Sequence, residues 1–255
     1  MAILISAWLY YQILCLSRII PKNVYQTWHT KNLPKHMAKC VESVKKGNPD
    51  FTFYLFDDQD SREFIMANFD TDVLDAYDRL KPGAFKADLW RYCILYMYGG
   101  VYLDIKYYCE PGFRLNELVA NRDITSTWIK ECDPVKQVYT GLLVCEAKNT
   151  KLWKCITRIV ENVRNREYGR CVTSPTGPDL LGGFFAEFEK SEIHLKYEEE
   201  PNVLTPHKLR GYIVDTLTNR RLLSHYMEYR QEQKEYANTG YWIDMWNARD
   251  IYADE

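Results

Sequence analysis

The chain has 255 residues, with 33 basic and 35 acidic side chains and a formal net charge of −2. It therefore lacks the overall positive field that grips nucleic acid. Aromatic residues make up 15% of the chain and hydrophobic residues 46%, which excludes low-complexity disorder and supplies a sizeable core.

Met1 to Ser17 carries no charged side chain and is mostly apolar. Its length is at the lower end of the roughly 17–25 apolar residues that a membrane span needs. Tyr10, Tyr11 and Gln12 occupy its middle, and neither a basic n-region nor a small-residue cleavage site is evident. A buried helix or strand, an interfacial helix and a short signal anchor all stay open.

From Arg18 to Trp28 the pattern predicts an entry segment and a short strand. Lys35 to Lys46 is a helix candidate, stopped by Gly47-Asn48-Pro49. Phe51 to Phe56 is a β-rich aromatic run. Asp57, Asp58, Asp60 and Ser61 offer cap and first-turn residues for a helix reaching about Asn68. Thr71 to Leu80 is a shorter helix before Pro82-Gly83. Phe85 to Tyr98 is a long helical window closed by Gly99-Gly100, and Val101 to Tyr107 is a strand. This alternation predicts an α/β fold with a mainly parallel central sheet flanked by helices. Beyond it, Asp123 to Trp128 and Tyr139 to Cys145 read as strands. Leu152 to Arg164 is an amphipathic helix, Ser174 to Pro178 a rigid loop and Asp179 to Lys190 a helix. Arg220 to Lys234 reads as polar and helical, and the tail is aromatic. No repeat or linker divides the chain. Eight cysteines contain no Cys-x-x-Cys pair, which argues against a structural zinc. Cys93 and Cys145 lie in apolar runs and read as core; the even count permits disulfides without requiring them.

The chemistry concentrates between Ala84 and Lys106. Asp88 and Arg91 are three apart, so they share a helix face. In the strand that follows, alternation puts Val101, Leu103 and Ile105 on one face and Tyr102, Asp104 and Lys106 on the other. That polar row lies at the carboxyl end of a strand, where ligands of open α/β sheets bind. A surface salt bridge for Asp88 and Arg91 and a solvated strand face for the row are the plainer alternatives.

The segment resembles the core signature of family 32 glycosyltransferases, the yeast initiating mannosyltransferase type, and is similar to the core of the large clostridial glucosylating toxins. The resemblance rests on Lys86-Ala87-Asp88-Leu89-Trp90-Arg91-Tyr92 and Gly99-Gly100-Val101-Tyr102-Leu103-Asp104-Ile105-Lys106. Ile20 to Trp28 with Leu33-Pro34, Asn48-Pro49-Asp50, Thr176-Gly177-Pro178 and Gly240-Tyr241-Trp242 extend it as islands. It implies a GT-A fold over residues 19–255, with residues 1–18 as an appendage. It also implies a nucleotide-sugar donor, a glycan or other hydroxyl acceptor and transfer with retention. UDP-hexose is favoured as donor and GDP-mannose is compatible. Gln26, Trp28, Asp88, Arg91, Tyr102, Asp104 and Trp242 would bind the donor. Trp28 would flank the base and Trp242 would offer its indole N–H to a phosphate. Asp104, Lys106 and Arg91 would carry the catalytic electrostatics.

The family's Asp-x-Asp is Asp104-Ile105-Lys106 here. A second ligand position of the family falls on Ala237. Asp104 is thus the one candidate ligand for manganese or magnesium. A protonated lysine binds no metal but brings a positive charge. The expectation is an enzyme without an essential divalent ion, Lys106 and Arg91 neutralising the diphosphate. Front-face attack by the acceptor fits best, since no second carboxylate is placed for a double displacement; Asp179 reads as a helix N-terminal acid. The rivals are a catalytically inactive nucleotide-sugar or carbohydrate-binding protein and a metal-dependent phosphoesterase, the latter without its histidine spacing. With no stem before Ile19, residues 1–17 are expected to pack on the domain or touch a membrane surface. A cytoplasmic or peripheral place is then favoured over Golgi-type anchoring.

Overall fold

The computed structural model describes residues 20–120, 127–131, 137–204 and 209–254. The apolar N-terminal segment, together with Cys15 and Cys132, lies outside them. The chain enters at β1 (Asn23–Thr27), followed by α1 (Lys35–Gly47), β2 (Thr52–Phe56), α2 (Asp58–Asn68) and α3 (Thr71–Arg79). Asp57 caps α2 as its sequence predicts. Its carboxylate accepts from the Asp60 N–H at 2.9 Å, and Asp60 returns the bond at 3.2 Å.

The next helix, α4 (Gly83–Tyr98), is apolar on nearly every side and buries Asp88, Leu89, Trp90, Arg91, Tyr92, Cys93, Ile94 and Leu95 together. A helix apolar all round belongs inside the molecule, so Asp88 and Arg91 cannot form a surface pair. Gly99 and Gly100 end it at φ +63° and +107°. A Cβ on Gly99 would lie 2.6 Å from the Ala147 nitrogen, and one on Gly100 2.7 Å from the Asn23 oxygen. Two residues without side chains are therefore required where helix, β1 and a later strand meet.

β3 (Gly100–Leu103) is shorter than the predicted strand. A turn closed by the Tyr107 N–H on the Asp104 carbonyl at 3.1 Å separates it from β4 (Tyr107–Cys109). After the short α5 (Asn116–Ala120) come β5 (Thr127–Glu131), β6 (Gln137–Cys145) and α6 (Thr150–Arg164). The helix expected over 179–190 is two short ones, α7 (Pro178–Gly182) and α8 (Glu187–Ser191), divided at Gly182-Gly183, where helix propensity is lowest. Next come β7 (Leu195–Pro201) and β8 (Leu209–Asp215), strands that the sequence pattern did not announce. The helix expected from Arg220 is corrected to a strand, β9 (Arg220–His225), before α9 (Tyr229–Tyr236). Its apolar Leu222 and Leu223 are buried by pairing with β8 and β4, a tertiary effect that outweighs local propensity. α10 (Trp242–Asn247) completes the fold.

The nine strands among the described residues join in one sheet of order β2-β1-β3-β6-β5-β7-β8-β9-β4. The expected α/β class is present. Parallel pairing runs through β2-β1-β3 and the β5-β7 pair, and the remaining pairs are antiparallel. In a flat sheet β4 would lie roughly 29 Å from β3, at about 4.8 Å per strand. The Asp104–Lys106 turn reaches at most about 14 Å. The sheet must curl back on itself, and the 2.7 Å hydrogen bond between the Tyr107 and Tyr139 hydroxyls closes the curl. One core cluster packs α4, α6 and Tyr25 with Tyr102 on one face; a second packs Val24, Val101, Leu103 and Tyr107 on the other.

Candidate active site

β1, β2 and β3 are parallel, so Trp28, Asp57, Asp58 and Asp104 all emerge at one end of the sheet. Alternation holds within β3: Val101 and Leu103 join one core cluster and Tyr102 the other. Tyr102 and Asp104 then share a face, and the Tyr102 hydroxyl donates to Asp104 Oδ1 at 2.7 Å. Lys106 reaches Asp104 differently from the expected strand row. The turn after Leu103 folds it back, and Nζ lies 2.8 Å from Asp104 Oδ2.

From α4, Arg91 reaches the same carboxylate, with Nη2 3.6 Å from Asp104 Oδ1. Its Nη1 is 3.2 Å from Asp88 Oδ1 and donates to the Thr140 carbonyl at 2.8 Å, and its plane stacks 4.3 Å from the Tyr102 ring centroid. Asp88 accepts from Thr176 Oγ1 at 2.7 Å and Thr140 Oγ1 at 3.3 Å. The loop holding Thr176 is itself held, since the Tyr92 hydroxyl donates to the Thr176 carbonyl at 3.0 Å and Asn162 to the Pro175 carbonyl at 2.9 Å. Five residues singled out by sequence thus form one buried chain of contacts: Asp88, Arg91, Tyr102, Asp104, Lys106. Thr140 carried no sequence signal. Thr176 stood in the Thr-Gly-Pro motif, without a hint that it would meet Asp88.

Burial opposes charge throughout this cluster, and the partners decide the outcome. For Asp104 burial would raise the pKa, but Lys106 and Arg91 outweigh it and hold the carboxyl below the usual range. For Asp88 burial prevails over Arg91 and Thr176, and the pKa is raised. Lys106 is held well above its ordinary value despite burial, because Asp104 faces it. Burial also raises Tyr102, which therefore stays protonated as a donor.

The remaining candidates are placed less centrally. Gln26 is 2% exposed on β1, on the face opposite Tyr25 and Tyr102 by alternation, and its Nε2 has no partner among the described residues. Trp28 is half-buried against the cluster of Met37, Cys40, Ile105, Tyr226 and Tyr229 and tilts over His29 at 4.9 Å; its indole N–H also lacks a partner among the described residues. Trp242 packs on Phe85, with ring centroids 6.3 Å apart. Asp179 is bound to Arg170 and accepts from Ser174 Oγ at 2.7 Å, a structural role at the start of α7.

A divalent metal does not fit the donor set. One Asp104 oxygen accepts from Tyr102 and the other faces the Lys106 ammonium. Among the described residues no group of three or more histidines, cysteines and acids is arranged to hold an ion.

The charge cluster lies at the carboxyl end of parallel strands, where ligands of open α/β sheets bind. Residues 34–124 match the family described as glycosyltransferase sugar-binding region containing DXD motif. An inositol phosphoceramide mannosyltransferase 3 of Schizosaccharomyces pombe is 38% identical over 37% of this chain and 26% of its own. An initiation-specific alpha-1,6-mannosyltransferase of Candida albicans is 36% identical over 35% of this chain and 25% of its own. The matched region thus spans about a quarter of these relatives. Among solved structures, the PaToxG glycosyltransferase aligns with TM-score 0.47 at 17% identity, over 69% of this chain and 74% of that one. The resemblance to family 32 glycosyltransferases is borne out. The expected cytoplasmic or peripheral location is corrected by the same relatives, because likeness to these yeast mannosyltransferases removes the ground for preferring it over Golgi-type anchoring. Among the described residues no helix is long and apolar enough to cross a membrane.

Proposed function

We propose that this protein is a retaining glycosyltransferase that moves a hexose from a nucleotide-sugar donor to a hydroxyl of a glycan or glycolipid. The observation that carries this is the buried Asp88–Arg91–Tyr102–Asp104–Lys106 cluster inside the matched sugar-binding region. The names of the relatives shift the preferred sugar from an unspecified UDP-hexose to mannose, and the inositol phosphoceramide named in one of them makes a glycolipid a natural acceptor.

Asp88 and Asp104 accept from donor sugar and ribose hydroxyls, in the roles the family resemblance assigns them. Trp28 and Trp242 flank the nucleotide, their indole N–H groups turned to it. Lys106 supplies a fixed ammonium where a metal-binding acid stands in the family, so the leaving diphosphate meets protein cations directly and no essential divalent ion is needed. The acceptor hydroxyl attacks from the face the diphosphate leaves. The glycosidic bond forms as the C1–O bond to phosphate breaks, and a diphosphate oxygen takes the acceptor's proton. The tight binding of Asp179 to Arg170 and Ser174 speaks against its service as an enzyme nucleophile.

A thermal-shift panel of GDP-mannose, UDP-glucose, UDP-galactose and UDP-N-acetylglucosamine, with EDTA or manganese, tests donor and metal together. At one hundred times Kd the ligand stabilises the fold by about 2.7 kcal/mol, and the expected shift persists in EDTA. A shift seen only with manganese ends the metal-free reading. No shift with any donor ends the assignment, and a shift without sugar transfer or donor hydrolysis marks an inactive binding protein.

A further inference from the structure

The cluster has no charge to spare. Asp88 and Asp104 face Arg91 and Lys106, two anions against two cations, all within a network of 2.8–3.6 Å contacts. A nucleoside diphosphate leaves with at least two negative charges, and a site that stabilises it needs net positive charge where that charge grows. In the proposed function no metal supplies it. A cation with no carboxylate within 4.0 Å among the described residues, Arg230, stands on α9.

Tyr229 opens that helix, and two cations lie near its ring. Lys106 Nζ lies 5.7 Å from the ring centroid and the Arg230 guanidinium carbon 5.5 Å from it. Arg230 Nη1 donates to Gln233 Oε1 at 3.0 Å, and no carboxylate lies within 4.0 Å of its guanidinium among the described residues. The acid in its field, Glu199, instead accepts from the Tyr197 hydroxyl at 2.6 Å. Other charges nearby are already matched or absent. Arg210 Nη2 pairs with Glu200 at 3.2 Å. His225 is 2% exposed and its imidazole accepts from the Gly211 N–H at 3.1 Å; burial keeps it neutral. A half-buried guanidinium without a counter-ion is costly to hold. Its planar fork fits two phosphate oxygens at once.

We infer that Arg230 completes, with Lys106 beside the same Tyr229 ring, an anion subsite for the second phosphate of the donor's nucleoside diphosphate. The inference rests on the proposed function for the existence of that donor, and it adds the residue that makes the site electropositive. α9 is tied to α1. Glu232, two residues on from Arg230, accepts from the His36 and Met37 N–H groups at 2.8 and 3.0 Å and from the Tyr226 hydroxyl at 2.9 Å.

The test is calorimetric binding in EDTA of GDP and UDP, with GMP and UMP as comparators, to the full chain and to Arg230→Gln and Arg230→Lys. Arg230→Gln is expected to weaken the preferred diphosphate at least tenfold and its monophosphate less than twofold, which also shows that the variant is folded. Arg230→Lys should recover part of the loss. An equal loss for mono- and diphosphate, or no loss, overturns the inference. Unchanged diphosphate binding with a raised acceptor KM likewise overturns it, because the guanidinium then serves an acceptor phosphate. If the unsubstituted protein binds none of the four nucleotides, the proposed function itself fails, a result distinct from the others.

Discussion

Thr176 and Asp88 are far apart in sequence and 2.7 Å apart in space. The threonine hydroxyl donates to a carboxylate whose pKa burial raises, and this bond works against that rise. Replacing it with the isosteric Val keeps the volume and removes the donor. Thr176→Val is expected to lower stability by about 1.5–3 kcal/mol, the range for hydrogen bonds to charged groups. Donor turnover should fall about tenfold or more as Asp88 and Arg91 lose their fixed geometry. Urea unfolding and a donor-hydrolysis assay check both; unchanged stability would remove Thr176 from the network. Asp88, Arg91, Tyr102 and Asp104 were legible in sequence because helix and strand periodicities put them on shared faces. Thr140 was not, because its partners, Asp88 and Arg91, come from a distant part of the chain. Lys106 was legible as an oddity, but its approach to Asp104 depends on a turn rather than a strand.

At the scale of elements, α9 shows how the C-terminal part is tied to the first helix. Pro34 precedes α1 and offers no capping side chain, so the first N–H groups of that helix need acceptors from elsewhere. Glu232, only 6% exposed, supplies both carboxylate oxygens. Glu232→Ala leaves these donors unsatisfied and is expected to cost about 1–3 kcal/mol. Hydrogen exchange at His36 and Met37 should quicken while amides of β1 and β3 stay protected. Uniform protection at α1 in the variant would show that water replaces the cap without loss. The first six elements followed from hydrophobic periodicity and cap chemistry. β7 and β8 did not, for Lys196, Glu198, Glu199, Glu200 and Arg210 interrupt the apolar alternation. Their salt bridges and cross-strand pairs, such as Arg221 with Glu200 at 2.8 Å, hold them in the sheet.

For the whole molecule, the direction of the buried charges sets the pH range of stability. Asp104, Asp179, Glu198 and Glu200 have pKa values lowered in the fold. Each contributes stability above the ordinary carboxylate range that is lost as pH falls through its lowered value. Lys106, raised well above its ordinary value, contributes stability below its unfolded pKa that is lost as pH rises through the folded one. Asp88, with a raised value, works the other way on the acid side and favours folding when protonated. The lowered carboxylates outnumber it, and His225, kept neutral by burial, adds a loss as pH falls through the ordinary histidine range, so urea midpoints should be level between about pH 7 and 9, decline below that and fall most steeply below about pH 4. A midpoint at pH 3 above that at pH 7 would contradict this balance.

The sequence by itself determined the α/β alternation of the first half, the double glycine where helix, β1 and β6 crowd together, and the charged residues that face one another. Those follow from local periodicities and from the space a side chain occupies. Only the tertiary structure decided that the sheet curls until β4 pairs with β9, and this curl sets Lys106 between Asp104 and the tyrosines at 107, 139 and 229. It also decided that, among the described residues, no carboxylate lies within 4.0 Å of the Arg230 guanidinium. Charge balance is a property of neighbours in space, and the neighbours of Arg230 are chosen by the packing of α9 against the sheet and α1.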